Sequence, residues 1–347
     1  MKKINAGIAS YGMSGEIFHA PLLHTHQGFQ IIKILERTKN KSKDRYPYAT
    51  IVREYGDLLK DPQIDLVVVN TPDNLHHGMV SEAIEAGKHV VVEKPFTLTV
   101  SDADDLITRA KKAGVLLSVF QNRRWDSDFL TVQKIIEEKM LGRLVEFEVH
   151  FDRYRNFIQE NTWKELPESG SGTLYNLGSH MADQALVLFG LPRSVYADIR
   201  SLRTGGRVDD AFTLLLKYDD VKVTLKASYL VREPGPKYYV HGTLGSFLKW
   251  GMDPQEEALK KGSYPDSDGW GTEPEEDWGI LNTEKDGKQI KQKFESLPGN
   301  YLTFYDLLYL ALTEGKPNPV PAVEGRNVIR VIEAARESNK TGREVMM

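Results

Sequence analysis

Ile64-Asp65-Leu66-Val67-Val68-Val69-Asn70 and, after residues 71–88, His89-Val90-Val91-Val92-Glu93-Lys94-Pro95 decide the fold of this chain. Apolar runs of this kind, without polar alternation, are strands covered on both faces. Residues 74–86 between them carry helical spacing. Strand, helix and strand in that order make a parallel pair with a right-handed crossover. The same rhythm continues on both sides. Residues 3–9 read as a strand, followed by a Gly-rich turn and a helix from about Gly15, and Phe29–Leu35 is a second β-rich run. Residues 101–114 read as a helix with Ser101 as cap and Gly114 as stop, and residues 116–119 as a further strand. The expectation is an α/β fold with an N-terminal, doubly wound parallel sheet.

After about Gln121 the pattern changes. A helix over residues 128–140 leads to Leu144-Val145-Glu146-Phe147-Glu148-Val149-His150-Phe151, a period-2 alternation. Residues 195–199, 212–218, 221–227, 238–241 and 246–250 share that character, with a hairpin turn expected at Asp219-Asp220. They predict a C-terminal α/β domain with a large, mostly antiparallel open sheet, one face of it solvated or covered by a partner. Residues 252–278 hold nine acidic residues against two lysines, with two tryptophans, and read as an ordered surface excursion. A last helix is expected over residues 323–339. The division is drawn at residues 1–122 for dinucleotide binding and 123–347 for substrate binding and oligomerisation.

The composition fits this frame. A chain of 347 residues has room for two domains, and 40% hydrophobic with 27% charged residues is ordinary for a soluble globular protein. A net charge of -4 excludes a general electrostatic grip on nucleic acid. The absence of cysteine excludes disulfides, thiolate metal sites and cysteine nucleophiles. The basic opening Met1-Lys2-Lys3 is followed by an apolar run broken at Asn5, Gly7 and Ser10, too weak for a signal peptide. No stretch approaches the roughly 18 apolar residues of a membrane span. These readings predict a cytoplasmic protein with no nucleic-acid or membrane partner. His76 and His77 are neighbours with no other ligand spacing, so no metal is expected.

Gly7-Ile8-Ala9-Ser10-Tyr11-Gly12 stands where a dinucleotide fingerprint belongs, with Met13 next to it. On this reading Gly7 makes the tight turn, Ala9 stays small beneath a pyrophosphate, and Gly12 lets helix and strand approach. Glu36 lies 24 residues past Gly12, near where an acid binds the ribose diol of NAD. Arg37 follows at once, and a guanidinium beside the hydroxyl of Thr38 suits a 2′-phosphate. Residues 33–45 carry six basic against two acidic side chains. A solvated lysine-rich face explains Lys41 and Lys43 equally well. NADP is the preferred cofactor, with NAD left open.

Two stretches carry chemistry. Glu93-Lys94-Pro95 follows a buried strand at the carboxyl edge, where open α/β sheets bind ligands. Lys94 there can hold a substrate hydroxyl, or simply neutralise Glu93. Gly178-Ser179-His180-Met181-Ala182-Asp183 opens an apolar helix. Histidine as a residue type titrates near neutrality, so His180 can accept an alcohol proton, or serve as a helix-start residue with Asp183 as its partner. Asn176 lies four residues before it.

Together these residues resemble the glucose–fructose oxidoreductase/inositol dehydrogenase (Gfo/Idh/MocA) family, over essentially the whole chain. Phe18-His19-Ala20-Pro21-Leu22, residues 118–126 (Ser-Val-Phe-Gln-Asn-Arg-Arg-Trp-Asp) and Val240-His241-Gly242-Thr243 resemble its scyllo-inositol dehydrogenase branch, which includes NADP-dependent members. The resemblance implies reversible oxidation of a hydroxyl on a cyclic polyol or sugar. It assigns Lys94 to the reacting hydroxyl, makes His180 the acid/base and puts a cis peptide before Pro95. Thr71, Pro72 and His76 would line the nicotinamide side, and Trp163-Lys164 matches a Trp-Arg pair near the cofactor. Glu93 and Gln121 join the cofactor set, Tyr154 and Arg153 are candidates for substrate hydroxyls, and a homodimer or homotetramer is implied. The family places Asp where this chain has Asn176, which can orient a hydroxyl but cannot accept its proton. The reading is therefore an NAD(P)-dependent dehydrogenase of scyllo-inositol type. An aldose or anhydrosugar reductase and a non-catalytic NADP-binding sensor are its rivals.

Overall fold

The computed structural model of the chain describes residues 2–160, 162, 165–167 and 170–347. The chain divides into two compact units. The first holds Met1–Trp125, Pro254–Trp270 and Asn300–Arg326, and the second Asp126–Asp253, Gly271–Gly299 and Asn327–Met347.

The first unit is built on six parallel strands: β1 (Ile4–Ile8), β2 (Phe29–Leu35), β3 (Thr50–Val52), β4 (Leu66–Val69), β5 (His89–Glu93) and β6 (Leu117–Phe120). Their order is β3-β2-β1-β4-β5-β6. All four residues of β4 are fully buried, as their unbroken apolar sequence predicts. The order reverses at β1, between β2 and β4, so the crevice at the carboxyl ends of these strands is where such sheets take a ligand. Helices α1 (Ala20–Thr25), α2 (Gly56–Leu59), α3 (His76–Glu85) and α4 (Val100–Ala113) connect them.

Two local expectations change. The helix expected from Gly15 starts as a π-helical turn, Gly15–His19, before α1. The cap of α4 is Thr99, not Ser101: Thr99 is extended (φ -133°, ψ 155°) and its Oγ1 accepts from the Asp102 N–H at 3.1 Å. Ser101 is already inside the helix, where its backbone cannot take that role. Gly114 ends α4 at φ 68°, as expected.

The second unit holds helices α5 (Ser127–Glu137) and α6 (Ser179–Phe189) and a nine-stranded sheet. Its strands are β7 (Leu144–His150), β8 (Ser194–Arg200), β9 (Ala211–Lys217), β10 (Lys222–Ser228), β11 (Tyr238–Gly242), β12 (Gly245–Lys249), β13 (Gly279–Lys285), β14 (Lys288–Phe294) and β15 (Val345–Met346). The order is β14-β13-β12-β11-β7-β10-β9-β8-β15. β7 and β10 run parallel and the other neighbours antiparallel. Alternation sets the faces: Phe147, Val149 and Phe151 are buried. The β9–β10 hairpin pairs Lys217 with Lys222 around Asp219-Asp220, as expected.

The acidic excursion is ordered. It carries α7 (Gln255–Lys260) and a 3-10 turn, Glu275–Asp277. Further on lie α8 (Leu302–Glu314) and α9 (Ala322–Thr341). Among the described residues no helix is long and apolar enough to cross a membrane.

Candidate active site

In the first unit the turn after β1 shows which glycine the backbone requires. β1 ends at Ile8, so Gly7 is inside the strand rather than in the turn. The position that admits no side chain is Gly15, whose Cβ would stand 2.1 Å from the Ser10 carbonyl oxygen and 2.7 Å from Asn70 Nδ2. At Gly12 a Cβ would meet only Ser10 Oγ, at 3.3 Å. The glycine spacing is thus met by Ser10-x-Gly12-x-x-Gly15, three residues later than the sequence reading put it. Gly15 is the one that lets the helix approach the strand end. Asn70, at the end of β4, donates from Nδ2 to the Ser10 carbonyl at 2.7 Å and fixes the turn. Tyr11 packs edge-on against Tyr46, with ring centroids 6.3 Å apart. Burial first, then the charges of Glu16 and Glu36, push its hydroxyl up to about 12 despite Arg45. Ala9 is buried, and Met13 is exposed.

After β2 the chain turns sharply. Glu36 is buried, and its two carboxylate oxygens accept from the Lys41 and Ser42 N–H groups, both at 2.9 Å. Arg37, Thr38 and Lys39 are exposed.

At the ends of β4 and β5 a second group gathers. His76 is buried, with Nδ1 2.9 Å from the Pro95 carbonyl and Nε2 3.0 Å from that of Thr71. It thereby ties the Thr71-Pro72 turn to the residue after Lys94. The Lys94–Pro95 peptide is cis. Burial pushes the nearby Asp73 carboxyl up, against the opposing charges of His76 and Lys94.

Glu93 accepts from the Lys94 N–H and lies 3.1 Å from His19 Nε2. A carboxylate only accepts, so His19 Nε2 carries the proton toward it. His19 Nδ1 meets the Tyr305 hydroxyl at 2.7 Å. Burial opposes ionisation of Glu93, but the His19 hydrogen bond and the charges of His19 and Lys94 win and hold it below the usual range. Burial and the Glu93 charge raise Tyr305 well above a normal phenol. His19 and Tyr305 were not among the sequence candidates. His19 stood inside a quoted stretch, whereas Tyr305 lies on α8, which the pattern did not reveal.

The first unit fits a dinucleotide. Asn70 Oδ1 and Gln121 Oε1, at the ends of β4 and β6, are buried without a hydrogen-bond partner among the described residues. Both are acceptors suited to ribose hydroxyls or a carboxamide. No group of three or more metal-ligating side chains occurs among the described residues.

In the second unit a π-helical turn, Leu174–Gly178, runs straight into α6. Asn176 sits half-buried in that turn, and His180 and Asp183 are buried in the first turns of α6. Asp209 holds the entry, accepting from the Leu174 N–H at 2.7 Å and Thr173 Oγ1 at 2.9 Å. Burial raises its pKa. Gly172, at φ 96°, leaves room for that carboxylate: a Cβ there would lie 2.2 Å from Asp209 Oδ1.

Arg153 is engaged through its backbone with Ser228 and Val231. Tyr154 is exposed, with the Arg232 guanidinium 4.0 Å from its ring and holding its hydroxyl below the usual range. Trp163 and Lys164 lie outside the described residues.

Comparison with known proteins adds the following. Residues 4–121 match the NAD-binding Rossmann-fold model of the GFO_IDH_MocA oxidoreductase family, and residues 133–347 match its C-terminal alpha/beta domain. The chain is 42% identical to scyllo-inositol 2-dehydrogenase (NADP(+)) IolW of Bacillus subtilis, covering 99% of this chain and 96% of that protein. It is 41% identical to the uncharacterised oxidoreductase YdgJ of Escherichia coli, covering 97% and 96%. A solved oxidoreductase structure from Bacillus cereus superposes with a TM-score of 0.91 at 32% identity, covering 99% of both chains. One from Bacteroides fragilis does so with 0.93 at 50%, covering 100% of both.

Proposed function

The chain belongs to the Gfo/Idh/MocA oxidoreductase family, and on that premise we propose that it oxidises a ring hydroxyl of an inositol, scyllo-inositol first, with NADP. The observation that carries this reading is the similarity, along almost the whole chain, to a relative named for that substrate and cofactor. An NADP held by the Ser10–Gly15 turn would supply the hydride acceptor for the substrate carbon.

The rest falls to the chain's own residues. Lys94 holds the reacting hydroxyl oxygen, and His180 accepts its proton as the C–H bond breaks and the carbonyl forms. Asn176 orients a hydroxyl. The pyrophosphate is assigned to the Ser10–Gly15 turn, and the acceptors of Asn70 and Gln121 to donors on the cofactor. Arg37 and Thr38 receive the 2′-phosphate. Thr71, Pro72, His76, Glu93, Trp163 and Lys164 remain cofactor candidates, and Arg153 and Tyr154 substrate candidates. Residues 1–122 and 123–347 are the corresponding functional division.

The test follows reduced-nicotinamide absorbance with NAD and NADP separately, across a panel of inositols and aldoses. Turnover of an inositol with NADP is expected. Turnover restricted to aldoses moves the assignment to the reductase reading, and tight NADP binding without any turnover moves it to a sensor. Within the panel, His180→Ala is expected to lower kcat about 100-fold or more, and Asn176→Asp to shift its pH profile. If neither variant changes turnover, the second motif has no part in the chemistry.

A further inference from the structure

We propose that Arg53 and the inward-turned carboxylate of Glu36 are positioning residues that brace the loop of residues 36–42 from outside and inside, and that this bracing, by holding Arg37, Thr38 and Lys39 outward, sets the preference for NADP over NAD. The inference rests on the cofactor reading above and adds to it the residues that make the preference.

An acid that binds a ribose diol must offer its oxygens to two hydroxyls. Glu36 stands near the expected distance from the glycine turn, yet it is 7% exposed and each oxygen takes a backbone N–H of its own loop. Turning it outward would strip the Lys41 and Ser42 N–H groups of their acceptor. Glu36 therefore works as the internal clasp of the loop.

Arg53 supplies the outer clasp, and the sheet puts it there. β3 pairs with β2 in the register Leu35↔Val52, and the Glu36 N–H donates to the Val52 carbonyl at 3.1 Å. The next residue, Arg53, donates to the carbonyls of Glu36 and Lys39 at 2.5 and 2.6 Å and to Asn40 Oδ1 at 2.5 Å. A planar fork spans these acceptors, whereas a lysine ammonium cannot reach them in one geometry. A third tie, Lys41 Nζ to Glu16 Oε2 at 2.6 Å, fastens the loop to the helical turn after Gly15.

What remains outside is Arg37, Thr38 and Lys39, exposed and with no side-chain hydrogen bond among the described residues. Two cations and a hydroxyl on a braced backbone match a phosphate dianion. A solvated lysine-rich face would not need such bracing.

The experiment titrates the full chain with NADPH and with NADH, reading nicotinamide fluorescence, for the wild type, Arg53→Lys, Asn40→Ala and Glu36→Gln. The wild type is expected to bind NADPH more tightly, and Arg53→Lys to weaken NADPH about tenfold with NADH within about twofold. Asn40→Ala moves the ratio the same way by less, and decides alone if Arg53→Lys does not fold. Glu36→Gln is expected to spare NADH, whereas a ribose-binding Glu36 would lose it. An unchanged NADPH/NADH ratio in these variants, or equal loss of both cofactors, overturns the inference. A wild type without preference removes the cofactor reading and the inference with it, a result distinct from variants that keep a preference the wild type has.

Discussion

Gly15 is the residue on which the turn after β1, proposed to hold the pyrophosphate, depends. A methyl group 2.1 Å from the Ser10 carbonyl oxygen must push the backbone apart, since nothing flexible can yield. Gly15→Ala is expected to weaken NADPH binding about tenfold or more by fluorescence titration, while Gly12→Ala, facing only a serine side chain, costs less. Near-equal affinities in the two variants would place the close approach elsewhere. At this scale the sequence reading centred the glycine spacing on Gly7–Gly12, whereas the sterically required glycine is Gly15. An apolar run does not show where a strand stops, and Ser10 occupies the first fingerprint position. Glu36 was legible by spacing alone, but its inward direction depends on where the N–H groups of residues 41 and 42 point.

Elements with strong one-sided or two-sided patterning were readable, among them β4, β5, β7 and α4. Those without it were missed. β14 reads Lys-Gln-Ile-Lys-Gln-Lys-Phe and is mostly exposed next to β13, so it lacks an apolar rhythm. α8 is apolar along much of its length, and its helical period is correspondingly blurred. β7 also carries a testable charge device. His150 lies between Glu148 and Asp152, with its ring 5.3 Å from Tyr239. Burial lowers its pKa, but the two carboxylates outweigh burial and leave it above the ordinary histidine value of about 6.5. With a raised folded pKa, its contribution to stability is fully present below that ordinary value and is lost as pH rises through the folded one. Stability of the wild type against urea is therefore expected to fall from pH 6 toward pH 8.5 through this site, with His150→Gln flattening that part of the slope. Parallel slopes in the two proteins would sink the assignment.

Across the whole molecule, pairings between distant residues hold the second unit together. Lys237 donates to Asp128 at 2.5 Å and lies 3.7 Å from Asp126, with all three side chains almost fully buried. Lys237→Met should cost about 3–5 kcal/mol in denaturant unfolding, because two aspartates lose their buried cation. A loss under about 1 kcal/mol would mean that water or a proton already compensates them. Pairings of this kind, β7 lying between β11 and β10, and the return of Pro254–Trp270 and Asn300–Arg326 to the first unit were invisible in the sequence. Local pattern is blind to partners a hundred residues away. The sequence by itself determined the strand–helix alternation of the first unit and the cofactor class, because strand periodicity and motif spacing are local, and it nominated the two motifs that the proposed reaction uses. Only the tertiary structure decided which glycine meets a carbonyl, which way Glu36 turns and that His19 and Tyr305 stand behind Glu93. Each of those depends on distances between segments that the chain brings together only when folded.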